Sequence, residues 1–181
     1  MQNLISYNNS WYNPGGNVLK RLLWYIINSC IFNSYFFPIN FLKTFLLKLF
    51  GAKIGKGVVI KPAVNIKYPW FLEIGNYTWI GEKVWIDNLI FVKIGSNCCL
   101  SQGCMLLTGN HDFKKTTFDL IVKPITIENG VWLGAKSIVC PGVICHENSV
   151  LTVGSIATFD LEKNGIYAQN PLQKIKERVF E

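Results

Sequence analysis

Histidine is scarce in this sequence, and one of its two histidines lies where a proton-transferring group is useful. His111 belongs to residues 108–124 (TGNHDFKKTTFDLIVKP), the only long departure from a repeat that runs through the chain. Imidazole titrates near neutral pH and can take a proton from a hydroxyl group there. Long loops on a rigid scaffold concentrate functional residues. His111 is therefore the candidate general base, and a surface histidine without a role is the alternative.

The cysteines do not form a recognisable metal or redox motif. None of the six forms a CxxC pair, and with only two histidines no zinc-ligand spacing is present. We therefore expect no metal and interpret the cysteines as small, buried, reduced hydrophobic residues. Reduced thiols favour a cytoplasmic protein, and residues 1–16 lack the pattern of a secretory signal.

The rest of the chain repeats every six residues. Between residues 127 and 157 an apolar residue recurs at Ile127, Leu133, Val139, Cys145, Leu151 and Ala157. The same spacing occurs from Ile54 onward, with interruptions at residues 68–72, 88–93 and 108–124. A six-residue unit cannot bury its own apolar face, so copies must stack on one another. The pattern predicts a solenoid of parallel strands.

Charge and hydrophobicity differ along the chain. Half of the residues are hydrophobic, 16% are charged and the net charge is +7. Residues 1–72 contain basic side chains but no acidic one. The composition excludes a disordered chain. Nucleic-acid binding by the basic front lacks a recognisable motif, so we expect no nucleic-acid partner.

Two helical patterns precede the repeat. Asn17 is a plausible cap for a helix over residues 18–35, and a second helix is predicted over residues 41–50. Residues 22–37 are too short and too polar for a transmembrane helix. Residues 18–50 are interpreted either as a cap on the repeat array or as a patch on an anionic membrane, with Trp24, Tyr25 and Phe36 at the lipid surface. The two interpretations can coexist.

The repeat resembles the hexapeptide-repeat acyltransferases. The similarity extends to acetyltransferases of colanic acid and related exopolysaccharide gene clusters, and its residues are FLLKLFGAKIGKGVVIKP, YPWFLEIGNYTWIGE, SQGCMLLTGNHD, VWLGAKSIVCPGV and NPLQKIKERV. The resemblance implies a left-handed parallel β-helix over residues 51–161, with the catalytic loop at residues 108–124. An arm and helical hairpin (1–50) would precede it, and a short helical tail (162–181) would follow.

The resemblance also implies an acetyl-CoA donor site around VWLGAK. Trp132 would lie against the pantetheine arm, Gly134 would let that arm approach, and the Ala135 N–H would donate to the thioester oxygen. Trp132 could equally be a rim aromatic that stabilises the coil. Val153 and Gly154 would line the same groove one coil later.

Acceptor contacts are expected near the base. The resemblance assigns Asp87 to the acceptor, while Asn110 could cap the turn or bind the acceptor, and Asp112 could hold the loop. In the tail, Phe159 and Gln173 replace basic residues that, by the resemblance, meet the coenzyme phosphates, and Gln169 replaces a glycine of the family pattern. Lys176, with Lys174 and Arg178, could compensate.

These features lead to a principal hypothesis and to alternatives from other classes. The principal one is an acetyl-CoA-dependent O-acetyltransferase that acts on a sugar hydroxyl of an exopolysaccharide, capsule or lipid-linked precursor. The family implies a homotrimer with active sites between subunits, in the cytoplasm or at the inner face of the membrane. The alternatives are a non-catalytic β-helix scaffold or sugar-binding subunit, and an acetyltransferase for serine or an antibiotic.

Overall fold

The computed structural model describes residues 3–168 and 173–177, and most of them form a β-helix with three flat faces. Face A contains β1 (Lys53–Ile54), β4 (Leu72–Ile74), β7 (Val92–Ile94), β12 (Ile125–Ile127) and β15 (Ile144–Cys145). Face B contains β2 (Val59–Ile60), β5 (Trp79–Ile80), β8 (Cys99–Leu100), β13 (Trp132–Leu133), β16 (Val150–Leu151), β18 (Gly165–Ala168) and β19 (Gln173–Glu177). Face C contains β3 (Asn65–Ile66), β6 (Trp85–Asp87), β9 (Met105–Leu107), β14 (Ile138–Val139) and β17 (Ile156–Ala157).

Each six-residue repeat predicted from the sequence forms one face of a coil. Each coil visits the three faces in turn, and the apolar residue that recurs every six positions points inward. On face B, Ile80, Leu100, Leu133 and Leu151 are fully buried and stack in parallel register. The prediction of a left-handed parallel β-helix is confirmed.

The corner between faces C and A interrupts this regularity. Three successive coils have long excursions there, over residues 67–71, 88–91 and 108–124. The longest contains a separate hairpin of β10 (Gly109–His111) and β11 (Leu120–Val122). From Ile127 to Cys145 the coil closes in three hexapeptides without an excursion. The departures from the repeat in the sequence therefore fall at one edge of the molecule.

The helical hairpin covers the first coil. Helix α1 (Val18–Ile27) is capped by the Asn17 side chain and continues as a π-turn over Asn28–Phe32, while α2 covers Asn40–Leu49. Trp24, Phe32 and Leu47 are buried with the β-helix core, as expected of a cap. The prediction that Trp24 faces lipid is wrong, because its ring is buried and its Nε1 donates to the Ile66 carbonyl.

The prediction of a helical tail is wrong for the described residues. β18 (Gly165–Ala168) pairs in parallel with β16, and β19 (Gln173–Glu177) folds back on it in antiparallel fashion. The open edge of face B supplies hydrogen-bonding partners, and burial of Tyr167 fixes the alternation of β18. Edge pairing therefore decides the conformation of a segment whose own preference is weak.

Candidate active site

The β10–β11 hairpin carries the candidate base. His111 pairs with Leu120 next to the loop that connects the two strands, and Gly109 pairs with Val122 at the root of the hairpin, next to the β-helix. Thr108 anchors the root, since its buried hydroxyl donates to the Asp87 carbonyl (2.8 Å) and accepts from the Leu89 N–H (2.8 Å). Sequence reasoning missed Thr108, whose only signal is its position between the last regular strand and GNH.

His111 is held in one orientation and one tautomer. Its ring stacks on Phe118 with centroids 4.2 Å apart and an interplanar angle of 2°. Its Nδ1 lies 2.9 Å from the Phe118 carbonyl oxygen. A carbonyl oxygen can only accept, so Nδ1 carries the proton in the neutral ring and Nε2 has a free lone pair. This is the protonation state that a general base needs.

Phe118 reaches this position through an unusual backbone. Its φ is +52°, in the left-handed region that bulky side chains rarely adopt. The conformation places both the ring and the carbonyl of Phe118 against His111. Strained backbone at such a point is typical of functional sites, where the surrounding structure compensates its cost.

Asn110 and Asp112 serve the loop itself. The Asn110 side-chain oxygen accepts from the His111 N–H (2.8 Å), and Asp112 Oδ1 accepts from the Lys114 N–H (3.1 Å). Asp112 also donates its backbone N–H to the Asp119 carbonyl (2.8 Å). These contacts fit the loop-holding roles weighed for them, and their role toward an acceptor stays a prediction.

Asp87 lines a cleft of about 650 Å³ between α1 and face C. Lys67 Nζ lies 3.0 Å from Asp87 Oδ1, and the Asp87 side chain is 17% exposed. Arg21 faces the same cleft, and its buried Nε has no hydrogen-bond partner within the described chain. Trp85, Asn28 and Asn65 complete the polar and aromatic walls. The sequence alone does not single out Arg21, because it is one of several basic residues in a predicted helical segment.

The donor-side residues lie at the corner between faces B and C. Trp132 is 48% exposed, and its Nε1 donates to Ser101 Oγ of the preceding coil (2.9 Å). A Cβ on Gly134 would lie 2.5 Å from the Val153 nitrogen, so coil stacking already requires a glycine there. The Ala135 carbonyl accepts from the Gly154 N–H (2.9 Å).

The Ala135 N–H is available to a ligand. In the described part of the chain it has no hydrogen-bond acceptor. By contrast, the matching amides at the A–B corner are occupied by side chains, as when Asn76 Oδ1 accepts from the Lys56 N–H. Val153 and Gly154 are exposed beside Ala135, and no atom lies within 4 Å of a Cβ placed on Gly154.

One chain does not bring the base and this amide together. The hairpin of His111 leaves the end of face C, at the C–A corner, whereas Ala135 lies at the B–C corner. The width of face C separates them. A site that uses both therefore needs His111 from one chain and Ala135 from another.

The tail and the buried thiols lie apart from the His111 hairpin. Phe159 is 47% exposed beside Tyr167, and Lys174 is paired with Glu162 and Glu177 (2.5 Å each), which raises its pKa. The side chains of Lys176 and Gln173, and residues 169–172 and 178–181, lie outside the described residues. Burial raises the pKa of the Cys104 and Cys145 thiols well above the usual range, so neither is a nucleophile at neutral pH.

Two further properties concern metals and membranes. Across residues 3–168 and 173–177, no three His, Cys, Asp or Glu side chains cluster closely enough to hold a metal ion. Over the same residues, neither helix has the length and apolar character required to span a bilayer.

Comparison with known proteins agrees with the fold. No protein-family model matches the sequence. WcaF of Escherichia coli, provisionally named a colanic acid biosynthesis acetyltransferase, is 39% identical over 165 residues, which cover 91% of each chain. The galactoside O-acetyltransferase of Escherichia coli is 32% identical over 136 residues, 73% of this chain and 66% of that protein.

Solved structures resemble most of the chain. A galactoside acetyltransferase in complex with coenzyme A has a TM-score of 0.77 and 28% identity, covering 88% of this chain and 80% of that one. A hexapeptide-repeat acetyltransferase of Vibrio cholerae complexed with acetyl-CoA has a TM-score of 0.80 at 19% identity, covering 90% and 88%, which shows the shared fold.

The three-faced β-helix is the fold of the hexapeptide-repeat acetyltransferases. The match to WcaF covers 91% of each chain at 39% identity, which identifies the family within that class. It belongs to the acetyltransferase family that includes WcaF, and it is an acetyltransferase.

Proposed function

We propose that this enzyme transfers the acetyl group of acetyl-CoA to a hydroxyl of a saccharide, with His111 as the general base. The observation that carries the proposal is the Nδ1 contact of His111 with the Phe118 carbonyl, which leaves Nε2 ready to accept a proton. The acetyl donor is acetyl-CoA, since similar solved acetyltransferases are complexes with acetyl-CoA or with coenzyme A.

The reaction is a direct attack on the thioester. Nε2 takes the proton of the acceptor hydroxyl as its oxygen forms a bond to the acetyl carbon. The Ala135 N–H donates to the carbonyl oxygen as negative charge develops there. The C–S bond then breaks, and the His111 imidazolium returns its proton, which the thiolate of coenzyme A takes up.

The enzyme works as a homotrimer with each site between two chains. The separation of His111 and Ala135 on different corners supports this arrangement. From β2 to β18 the outward strand residues of face B are uncharged and suit burial against a neighbour: Val59, Trp79, Cys99, Trp132, Val150 and Ile166. Face A, whose outward residues include Lys53, Glu73 and Lys93, suits solvent.

The acceptor binds in the cleft between α1 and face C. Asp87, Arg21 and Lys67 supply charged hydrogen-bonding groups, and Trp85 supplies an aromatic surface for the apolar face of a sugar ring. Asp87 is linked directly to the root of the catalytic hairpin through Thr108. The acceptor class is therefore a saccharide of an exopolysaccharide, a capsule or a lipid-linked precursor.

The protein acts in the cytoplasm at the inner face of the membrane. Exposed apolar residues line the outer sides of both helices: Leu19, Leu22, Leu23 and Ile26 on α1, and Phe41, Phe45 and Leu49 on α2. The two stripes meet in one groove, which Leu19, Leu23 and Leu49 share. Because residues 1–72 contain no acidic side chain, this face suits an anionic lipid surface.

Activity is tested by incubating the protein with acetyl-CoA and candidate saccharides. Thiol release and the mass of the acetylated product are measured for the wild type and for His111→Ala. Loss of the base should lower kcat by about 10²–10⁴-fold, while acetyl-CoA binding is retained. His146→Ala is the matched control, because His146 lies beside Glu128 on a regular coil (3.3 Å). Full activity of His111→Ala would remove His111 as the base.

The non-catalytic alternative is not retained, because the chain belongs to a family of acetyltransferases. Lys174 is already paired with two carboxylates and is therefore less available to the coenzyme phosphates. Calorimetry with acetyl-CoA measures donor binding directly, and the absence of binding would contradict the proposed reaction.

A further inference from the structure

The arm that precedes α1 follows the corner where the catalytic hairpin emerges. The Asn3 N–H donates to the Thr116 carbonyl (2.9 Å), and the Tyr12 hydroxyl donates to the Leu89 carbonyl (2.6 Å). Trp70 Nε1 donates to the Pro14 carbonyl (2.8 Å). Thr116, Leu89 and Trp70 belong to the three successive excursions at the C–A corner. The arm therefore connects the tip of the catalytic hairpin to the two preceding coils.

The end of the arm is fixed by Gly15. Its φ is +66°, and a Cβ there would lie 2.6 Å from Trp70 Nε1, so any other residue would displace the Trp70 ring. The Tyr12 contact is durable as well. Burial, together with the nearby Tyr68 and Asp87, raises the pKa of Tyr12 far above its usual range, so the hydroxyl keeps its proton.

The arm adds little to the hydrophobic core. Leu4, Ile5 and Trp11 are 65%, 97% and 58% exposed. Tyr7 differs from them, because it is half-buried and its ring centroid lies 5.7 Å from that of His111 at an interplanar angle of 57°. It is the arm's aromatic contact with the catalytic hairpin.

The catalytic hairpin needs external support. Its two strands have three residues each and form a sheet separate from the faces of the β-helix. An isolated two-stranded hairpin is marginally stable in water. Phe118, which stacks on His111, belongs to the same hairpin and cannot restrain it relative to the scaffold. Tyr7 approaches from a different segment that is tied to the coils.

We propose that Tyr7 is a positioning residue for His111, and that the arm over residues 3–14 holds the catalytic hairpin in its working geometry. This inference rests on the proposed function of His111. The Tyr7 ring limits the rotation of the imidazole and keeps Nε2 directed toward the acceptor hydroxyl. A displacement of about 1 Å in such a group can cost about 10²-fold in rate.

The test compares Tyr7→Ala, Tyr7→Phe and Trp11→Ala in the full chain. We expect Tyr7→Ala to lower kcat by about ten- to a hundredfold, with unchanged KM for acetyl-CoA and an unchanged unfolding temperature. Tyr7→Phe keeps the ring and should retain wild-type kcat. Trp11→Ala removes another exposed aromatic of the same arm and should also behave as wild type.

Nitrogen NMR supplies a readout independent of turnover. The chain has two histidines, so a His146→Ala background leaves only the His111 imidazole signals. Tyr7→Ala should shift and broaden the His111 ring signals, because the imidazole loses its contact with the arm, whereas Tyr7→Phe should leave them as in the wild type. The Phe118 carbonyl remains in the hairpin, so the Nδ1-protonated form should persist in both variants.

Three results would overturn the inference: kcat of Tyr7→Ala within twofold of wild type, equal losses in Tyr7→Ala and Tyr7→Phe, or an equal loss in Trp11→Ala. His111→Ala, assayed in parallel, keeps the two proposals apart. If it stays active the proposed function fails, and if only Tyr7→Ala stays active this inference alone fails.

Discussion

Asp87 connects the proposed acceptor cleft to the hairpin of His111 through two different groups. Its carboxylate pairs with Lys67, while its carbonyl accepts from the buried Thr108 hydroxyl. A change confined to the carboxylate therefore tests acceptor binding without releasing the loop.

Asp87→Asn should raise KM for the saccharide by about tenfold, because a hydrogen bond to a charged group contributes about 1.5–3 kcal/mol. The control is Glu73→Gln, since Lys53 and Glu73 form a similar lysine–carboxylate pair between adjacent coils on face A (3.4 Å). Steady-state kinetics with acceptor varied at saturating acetyl-CoA makes the comparison. Equal KM values for both variants would place the acceptor elsewhere.

At the scale of the elements, the B–C corner offers a clean test of the oxyanion donor. Pro62 lies two residues after β2, at the same corner position that Ala135 occupies after β13. The carbonyl oxygen of each accepts a hydrogen bond from the next coil. The backbone of this corner therefore already accommodates a residue without an N–H.

Ala135→Pro should lower kcat by about 10²–10³-fold, because it removes the amide that meets the developing charge. Gln102→Pro makes the same change one coil earlier and should leave kcat near the wild-type value. The rate of thiol release at saturating substrates distinguishes them. A fully active Ala135→Pro enzyme would exclude this amide as the oxyanion donor.

The repeat predicts the strands of the β-helix, whereas the β10–β11 hairpin and the strands of the tail do not follow from it. The spacing from Ile127 to Ala157 has one physical solution, because each apolar residue must enter the same narrow core. His111 stood out by interrupting that spacing. The Phe118 conformation, the Arg21 cleft and the course of the arm arise from contacts between distant segments, which no local pattern encodes. The tail was mistaken for a helix for the same reason, since the edge of β16 determines its pairing.

At the scale of the whole molecule, the outer face of the helical hairpin should bind anionic vesicles. Phe41→Ser/Phe45→Ser removes two exposed, stacked rings from α2 and should reduce cosedimentation with phosphatidylglycerol vesicles. Added salt should weaken wild-type binding as the basic residues are screened. Phe113→Ser, which changes an exposed aromatic on the catalytic loop, is the control. Equal sedimentation of wild type with neutral and anionic vesicles would contradict the electrostatic part of this account.

Assembly decides whether the two halves of the active site come from different chains. His111→Ala lacks the base and Ala135→Pro lacks the oxyanion donor, so a trimer of either variant has no complete site. A mixed trimer regains complete sites wherever a wild-type hairpin meets a wild-type corner on its neighbour.

The most direct measurement is therefore the acetyltransferase activity of the two variants co-expressed and purified together. We predict that the mixed assembly recovers a substantial fraction of wild-type activity while each variant alone remains nearly inactive. An inactive mixed trimer that still binds acetyl-CoA would contradict a site that combines His111 of one chain with Ala135 of the next.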